Sequence, residues 1–575
     1  MSVNQNILES LRQQLGLTQA ELPDEDISVA LNTLVAGATR NFDSDGPPLI
    51  QSTHQAILAH GLVSKLDIFT IIPLLLESSR DASDDFIAVI AEECSAKEMV
   101  IVLQEVSERL KSTLSSLESE DDEEDEGVDV SQTRARALQQ VIRIISTYAK
   151  VVPRLSKGRK TPNQILYPPF TQLQQLLLAF RLNINERDVD AILRALNSLT
   201  VSAAGWAGED QDVKDLLYAL AVSTVQAFSS KLGTNVAINA FEEQFPRLRQ
   251  LNRVSTSQSL NTDPVTDLNH TLHSIGLNPT QLPTSTPPSL SSLVFIAHTP
   301  TSPTTPSPTL ETLRTLFPLI LASLQTNTAL PSTLAFLLRT LGPLTPQVPP
   351  SFSPSEPVPI ELLTILSTLL PQIASFHPDP TLRHITFRLL SIVLKLTPPS
   401  IRIHVLRDLV THAGQGSDGG GAESGGESMT VAGVGLVKDS VLAALGRSGE
   451  GEDVFATPMF SEIFVPVLFV PRLPPTAPST PAKNEDELEA FLASSEPSRL
   501  VEVFGLYWLL VKRDMENKTG IRTPNVTMKI QTTLLMVVRE KLRRWDSIDL
   551  KDAEEAKMQL GILDMWLDRI DEALR

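Results

Sequence analysis

The single cysteine of the chain, Cys94, is the residue best suited to chemistry, because a thiolate is both a nucleophile and a redox centre. A capping-box sequence, Ser95–Glu98, follows it directly, and a helix N-terminus lowers the pKa of a nearby thiol. Its spacing from Phe86 and Ile90 places it on an apolar helix face. One cysteine permits no disulfide within the chain and no multi-cysteine metal site. We predict a small buried hydrophobic residue, with a thiol-based redox enzyme using Cys94 as the alternative.

Two close histidine pairs are candidate metal ligands: His54 with His60, and His270 with His273. Neither pair has a cysteine or a suitable carboxylate at ligand spacing, so we predict no metal site. The run Gly433–Ser440 lacks the residue order of a phosphate loop and instead predicts a helix start after a flexible loop. The sequence therefore predicts no cofactor, no catalytic residues and no enzymatic activity.

Four basic residues lie close together behind a predicted helix: Arg154, Lys157, Arg159 and Lys160. Such a charge run is most often a solvated loop. It can also serve as a nuclear-import patch or as a contact for an acidic partner. We keep these four residues as the candidate partner contacts.

Apolar residues recur at helical spacing through much of the chain, and strand signals are scarce. The stripe Leu138, Val141, Ile145 and Tyr148 ends before Pro153, because a proline ring cannot continue helical hydrogen bonding. Many short amphipathic helices over hundreds of residues predict an all-α fold, a HEAT- or armadillo-like helical-repeat solenoid with long low-complexity loops. No strict sequence repeat is present, so a set of separate helical bundles is the alternative.

Low-complexity segments divide the chain into regions. We predict an N-terminal helical-repeat region (1–255), a Pro/Ser/Thr-rich linker or long loop (256–310) and a C-terminal helical-repeat region (311–575). We also predict an acidic loop (about 118–131), a Gly-rich loop (about 413–428) and a Pro-rich break (about 471–483) inside these regions.

The net charge of the 575-residue chain is −20, and eight of its acidic residues lie between Glu118 and Glu126. A charge this negative opposes general binding of nucleic acid and favours basic segments of partner proteins. The N-terminus does not have the pattern of a signal peptide, and no run of 18 apolar residues occurs. We expect a cytoplasmic protein, with the nucleus as a second location and no membrane association.

Several helix junctions resemble those of a known protein family. They are the stretch Glu92–Glu98 leading into Val102–Glu105, the helix Val141–Val152 followed by Pro153–Leu155, and the run Val434–Ser440. On these junctions the chain resembles the family of YAP-binding proteins, plant lateral-root-formation proteins and glomulin, in its fungal, kinetochore Ybp-like branch. The resemblance is clearest over residues 50–180.

The resemblance implies an all-helical HEAT-like fold without enzymatic activity. Fungal members of the family bind a Yap-type bZIP stress transcription factor and assist its oxidation by peroxide. The animal member caps the RING-box subunit of cullin–RING ubiquitin ligases, and a paralogous branch acts at the kinetochore. Our first hypothesis is therefore a protein-binding adaptor that regulates a bZIP factor in the oxidative stress response. The alternatives are a glomulin-like inhibitor acting on RING-box and cullin subunits, and a component that binds kinetochore proteins.

Overall fold

The structure of the protein is a computed structural model, which describes most of the chain. Apart from a few positions between 9 and 15, the described residues are 26–40, 49–78, 82–119, 130–180, 184–248, 263–280, 288–299, 309–345, 358–412, 423–446, 453–472, 484–546 and 554–575. The acidic loop beyond Ser119, residues 413–422 of the Gly-rich loop and the Pro-rich break from residue 473 lie outside these ranges.

The described residues form α-helices joined by turns and contain no β-strand, which confirms the predicted all-α class. The helices are α1 Ile27–Arg40, α2 Leu49–Ala59, α3 Ile68–Glu77, α4 Ala82–Glu93, α5 Ala96–Ser119, α6 Val130–Val151, α7 Pro162–Ala179, α8 Glu186–Ala207, α9 Gln211–Ala227, α10 Asn235–Gln244, α11 Pro264–Ser274, α12 Leu290–Ala297, α13 Leu310–Thr326, α14 Leu330–Leu341, α15 Ile360–Phe376, α16 Pro380–Leu396, α17 Pro399–His412, α18 Glu423–Leu445, α19 Met459–Leu468, α20 Asn484–Ala493, α21 Glu496–Arg513, α22 Pro524–Ile530, α23 Met536–Asp546 and α24 Glu554–Leu574. A π-helical turn, Gln531–Leu535, joins α22 to α23.

The chain divides into two compact units whose boundaries differ from the predicted regions. The first unit comprises Met1–Val236, Gln250–Pro308 and Pro318–Phe336. The second comprises Ala237–Arg249, Thr309–Phe317 and Leu337–Arg575. Each unit therefore combines segments that are distant in the sequence, which a division based on low-complexity segments does not anticipate.

In the first unit, each helix from α1 to α7 packs on the helix two places further along the chain, whereas α8 and α9 pack on α11 and α12, three places further. One layer runs through α1, α3, α5, α7, α9 and α12, and the other through α2, α4, α6, α8 and α11. Their apolar faces share one hydrophobic core that extends from Leu31 to Phe295. This two-layer order is the packing of a helical-repeat protein, in which each repeat buries its apolar face against its neighbours.

In the second unit, α15, α18, α21 and α24 form a series in which each helix packs on the next. The segment Ser428–Leu445 of α18 is the one described stretch that is long and apolar enough to cross a membrane by length and composition. Half of this segment is buried, because α18 packs against α15, α17 and α21. This contact pattern is that of a core helix within the unit.

Helix boundaries follow local signals that the sequence shows. Helix α5 begins directly after Ser95, where the capping box predicts it. Helix α6 ends at Val151, and Pro153 lies in the 3₁₀ turn that follows. Helix α7 begins with a complete capping box, in which Thr161 and Gln164 exchange hydrogen bonds with each other's backbone.

Two helices lie inside the segment 256–310, where the sequence analysis predicts a linker or long loop. Helix α11 starts with Asp263 as its N-cap and Pro264 as its first residue, and it buries Leu268 and Leu272. Helix α12 is buried over most of its length. The density of prolines and hydroxyl residues suggested a linker, whereas the capping signal and the apolar spacing determine the local structure. Similarly, α18 already begins at Glu423, inside the predicted Gly-rich loop.

Buried arginines bind the carbonyl oxygens at the C-terminal ends of helices. In the first unit, the guanidinium of Arg143 donates to the carbonyls of Leu75, Leu76 and Ser78 at the end of α3, and it pairs with Asp84 of α4. These carbonyls have no partner within their own helix, so a cation aimed at them satisfies both their hydrogen bonding and the helix dipole. The single side chain thereby fixes α6 against α3 and α4.

Replacing Arg143 by methionine should destabilise the protein strongly. The change removes several charge-assisted hydrogen bonds and leaves buried carbonyls unpaired, so we expect the free energy of unfolding to fall by about 3 kcal/mol. Urea denaturation followed by circular dichroism measures it. The matched control is Arg109→Met, because Arg109 is 69% exposed. Its i,i+4 ion pair with Glu105, at 3.8 Å, stabilises the fold by at most about 0.5 kcal/mol. Equal effects of the two substitutions would contradict this assignment.

Candidate partner-binding surface and buried polar groups

The basic segment forms a turn between α6 and α7, and one of its four predicted residues, although exposed, is hydrogen-bonded to the rest of the fold. The guanidinium of Arg154 donates to the carbonyls of Ala91 and Cys94, the latter at 2.8 Å, at the C-terminal end of α4. Arg154 therefore supports a helix end in the same way as Arg143. These two hydrogen bonds engage its guanidinium within the fold. A role of Arg154 as a partner contact stays a prediction.

The rest of the basic turn is held by an indole from α8. The Nε1–H of Trp206 donates to the carbonyl of Leu155 at 2.8 Å, and Lys157 Nζ lies 5.5 Å from the centroid of the Trp206 ring. Arg159 and Lys160 are exposed beyond this anchor. The three cations at 157, 159 and 160 are thus presented to solvent on a supported turn. Trp206 was not singled out by the sequence analysis, since its contact lies 51 residues away in the chain.

Cys94 is buried, as the apolar stripe predicts. Its side chain is 9% exposed, and its thiol lies 3.7 Å from the carbonyl oxygen of Val63. Burial raises the pKa of the Cys94 thiol, the charges of Glu93 and Glu98 raise it further, and the charge of Arg154 opposes them. The helix that starts at Ala96 does not reverse this direction, so the thiol form is favoured.

A buried Asp–His–Ser chain of hydrogen bonds links α11, α12 and α14. The carboxylate of Asp263 contacts His298 Nδ1, and His298 Nε2 lies 3.2 Å from Ser332 Oγ. Asp263 also accepts hydrogen bonds from the backbone and the hydroxyl of Thr266, at 3.2 and 2.7 Å. This order of groups is the one that serine hydrolases use. The sequence analysis did not find it, because the three residues lie on separate elements.

The Ser332 hydroxyl is closed to any substrate, which separates this arrangement from a catalytic site. Ser332 is 0% exposed and His298 4% exposed. A nucleophile must reach the substrate and face donors for the developing oxyanion. The chain of hydrogen bonds instead joins the N-cap of α11, the C-cap of α12 and the first turn of α14. These hydrogen bonds connect three helices, and we call the Asp263–His298–Ser332 chain the polar lock.

The Asp263 carboxyl is held in its charged form. Burial alone would raise its pKa, but attraction to His298 and the hydrogen bonds from His298 and Thr266 outweigh burial, so the pKa of Asp263 is lowered. Asp190 lies close enough to feel this charge: burial first, and repulsion by Asp263 second, raise the pKa of Asp190.

The predicted histidine pairs show no metal geometry in the described residues, where no group of three potential ligands occurs. His54 stacks on Phe86, with ring centroids 4.8 Å apart, and burial lowers the pKa of His54 despite the charge of Asp85. Burial, and then the charge of His270, lower the pKa of His273. Of these histidines, His54 is packed against an aromatic ring, whereas His270 is exposed.

A groove of about 490 Å³ lies between α1, α3, α5 and α6 of the first unit. Its floor is apolar and is formed by Val106, Leu110 and Ala137, with Pro73 and Leu74 at the side of α3. The first three side chains are 6%, 7% and 4% exposed, whereas Leu103, earlier on α5, is 0% exposed. All three therefore belong to the hydrophobic core, and only a small part of each side chain is open to the groove.

Among the described residues that line the groove, the rim is polar and carries two positive groups and one negative group. Arg109 of α5 and Arg136 of α6 contribute guanidinium groups, and Glu77 at the end of α3 contributes a carboxylate. All three side chains are exposed, as is Thr113 between them and the end of α5. An apolar floor with a few charged groups at the edge is the usual composition of a binding cleft.

No protein-family profile matches the chain, and no curated protein matches it. Among solved structures, the chain is similar to one described as a "Circular tandem repeat protein with novel repeat topology and enhanced subunit contact surfaces". That match has a TM-score of 0.20 and 10% sequence identity, and it covers 100% of this chain and 97% of the other. The fold is therefore described by the helix contacts within the chain itself.

Substituting Asp263 by asparagine should test the polar lock through its pH dependence. Asparagine is also a good N-cap, so the change removes mainly the negative charge. Because the folded-state pKa is lowered, the charge stabilises the fold fully above the ordinary carboxyl pKa of about 4, and this stabilisation disappears as pH falls through the folded-state value. We expect Asp263→Asn to be less stable by roughly 1–3 kcal/mol at neutral pH, with the difference shrinking below about pH 4. Urea denaturation across this range measures it, and a difference independent of pH would refute the lock.

The Cys94 thiol should react slowly in the folded protein. Burial and a raised pKa both reduce the accessible thiolate, so we expect modification by N-ethylmaleimide at neutral pH to be slower by about tenfold or more than in the urea-unfolded chain. Mass spectrometry of the modified chain over time measures both rates. Similar rates in the two states would instead identify an accessible, reactive thiol.

Proposed function

We propose that this chain is a non-enzymatic adaptor that binds and regulates a partner protein. The observation that carries the proposal is the two-layer packing of the first unit, in which the helices from α1 to α7 each pack on the helix two places along. Repeat packing of this kind leaves one face of every repeat available to partners, and repeat proteins use these faces for binding. The supported basic turn and the groove both lie on this unit.

The two arrangements closest to catalytic chemistry also support an adaptor. Ser332 and Cys94 carry the nucleophilic groups, and both are buried in packed helix interfaces. Each has a structural use: Ser332 joins the polar lock, and the thiol of Cys94 fills a position in the core. An enzyme using either residue would need to open the first unit.

The choice of partner rests on the resemblance of the helix junctions and on charge. A Yap-type bZIP transcription factor is the first partner, in a cytoplasmic and nuclear response to oxidative stress. The net charge of −20 favours association with the basic segment of such a factor. A cullin–RING ligase capped at its RING-box subunit is the second candidate, and kinetochore proteins are the third.

Affinity purification of the tagged full-length chain from native extract, followed by mass spectrometry, tests these partners. We expect a bZIP factor among the recovered proteins, and more of it after peroxide treatment. Recovery of cullin and RING-box subunits without a bZIP factor would replace the first partner by the second. Recovery of no specific protein, from treated and untreated cells alike, would contradict the adaptor function.

Two variants test how the partner is held. The double substitution Arg159→Glu and Lys160→Glu reverses two exposed charges of the basic turn, and we expect it to reduce recovery only of a partner that binds there through an acidic segment. The control is Lys395→Glu, which changes an exposed lysine of α16.

The rival redox enzyme is tested by Cys94→Ser. A variant chain that folds and retains its partners but loses peroxide tolerance would favour the enzyme.

A further inference from the structure

We propose that the groove between α1, α3, α5 and α6 binds an amphipathic helix of a partner protein, and that the polar flank of this helix is acidic. The proposal rests on the adaptor function, because its ligand is a segment of another protein. It assigns a negatively charged ligand to this groove, although the net charge of the chain is itself negative.

The spacing of the floor residues fits a helix. Val106 and Leu110 are four residues apart on α5, and Ala137 and Gln140 are three apart on α6, so each helix presents a regular ridge to the groove. The apolar face of an incoming helix, with residues at i, i+4 and i+7, packs between two such ridges. The groove volume of about 490 Å³ accommodates several of its side chains.

The charge of the rim selects an acidic helix. Arg109 and Arg136 project from different helices, so a ligand lying along the floor has a guanidinium group on each of two neighbouring helices. Guanidinium groups bind carboxylates through two parallel hydrogen bonds, and their apolar stems can cover the hydrophobic face of the ligand. Glu77 is the acidic position of the rim, where a basic residue of the ligand would be favoured. A helix with a basic flank would meet two like charges.

Burial indicates that the two arginines of the groove are not structural in the way that Arg143 is. Arg109 is 69% exposed, and its ion pair with Glu105, at 3.8 Å, is formed within the same helix. Arg143 is 5% exposed and holds buried carbonyls. Substitution of the rim arginines should therefore change binding without unfolding the unit.

Fluorescence anisotropy with the full-length chain tests the proposal. The probe is a labelled synthetic helix of about 18 residues with leucines on one face and glutamates on both flanks. The matched probe has lysines at every glutamate position. At about 0.15 M salt, where the long-range field of the chain is screened, we expect the glutamate helix to bind about tenfold more tightly than the lysine helix.

Two variants locate the binding. The double substitution Arg109→Glu and Arg136→Glu should weaken the glutamate helix by about tenfold or more and remove the preference over the lysine helix. Thr113→Trp places an indole over the floor from an exposed position and should weaken both helices. Lys395→Glu, in the second unit, should change neither affinity.

Three results would overturn the proposal: equal affinity for the two helices, no effect of either groove variant, or binding of oleate in place of the glutamate helix. The last result would assign the groove to a small apolar anion. Failure here is distinct from failure of the adaptor function. If the groove is not the site, the tagged chain still recovers its partners, and the Arg109→Glu and Arg136→Glu variant recovers them equally well.

Discussion

Helix ends set the main physical demand on this fold. Each helix leaves its last carbonyl groups without partners in its own backbone, and a chain of many short helices has many such ends inside its packed layers. Arginine side chains from other elements meet this demand. Arg143 and Arg154 bind the ends of α3 and α4 in the first unit. Because the guanidinium has five donors in a fixed fork, one side chain can bind several carbonyls and a carboxylate at once.

The second unit repeats this solution. Arg499 donates to the carbonyl of Leu468, the last residue of α19, at 3.1 Å and to that of Val470 at 2.8 Å. It also forms a bidentate ion pair with Glu496. Both members of that pair are almost fully buried, at 1% and 4% exposure. Further helix ends are bound in the same way: the carbonyl of Val410 accepts from Arg472, and that of Val511 accepts from Arg522 at 2.8 Å. Removing one partner of a buried pair leaves the other charge unpaired, so these contacts favour one arrangement of helices over others.

Local features of the fold could be predicted from sequence, and long-range ones could not. The start of α5 after Ser95 and the end of α6 before Pro153 depend on capping and on proline geometry, which act within a few residues. Helix α11 also has a local start signal, Asp263 followed by Pro264. The prolines around it are typical of a linker, so the sequence pattern as a whole predicts a linker there. The inward role of Arg154 depends on carbonyls about 60 residues earlier, and the contacts of His298 span 34 and 35 residues. No spacing rule connects such residues.

Burial decides what each reactive group of this chain can do. The types of Asp263, His298 and Ser332 would permit hydrolysis, yet enclosure in three helices turns their hydrogen bonds into a structural link. The arginines differ in what their guanidinium groups contact. Arg143 and Arg154 face carbonyls at helix ends, whereas Arg109 and Arg136 stand at the edge of an apolar floor. The net charge of the chain is −20, so its overall field attracts positively charged partners. Arginines exposed beside apolar residues attract negatively charged ligands locally instead. At physiological ionic strength screening suppresses that field beyond about 8 Å, so the local charges of the groove decide which helix can bind there.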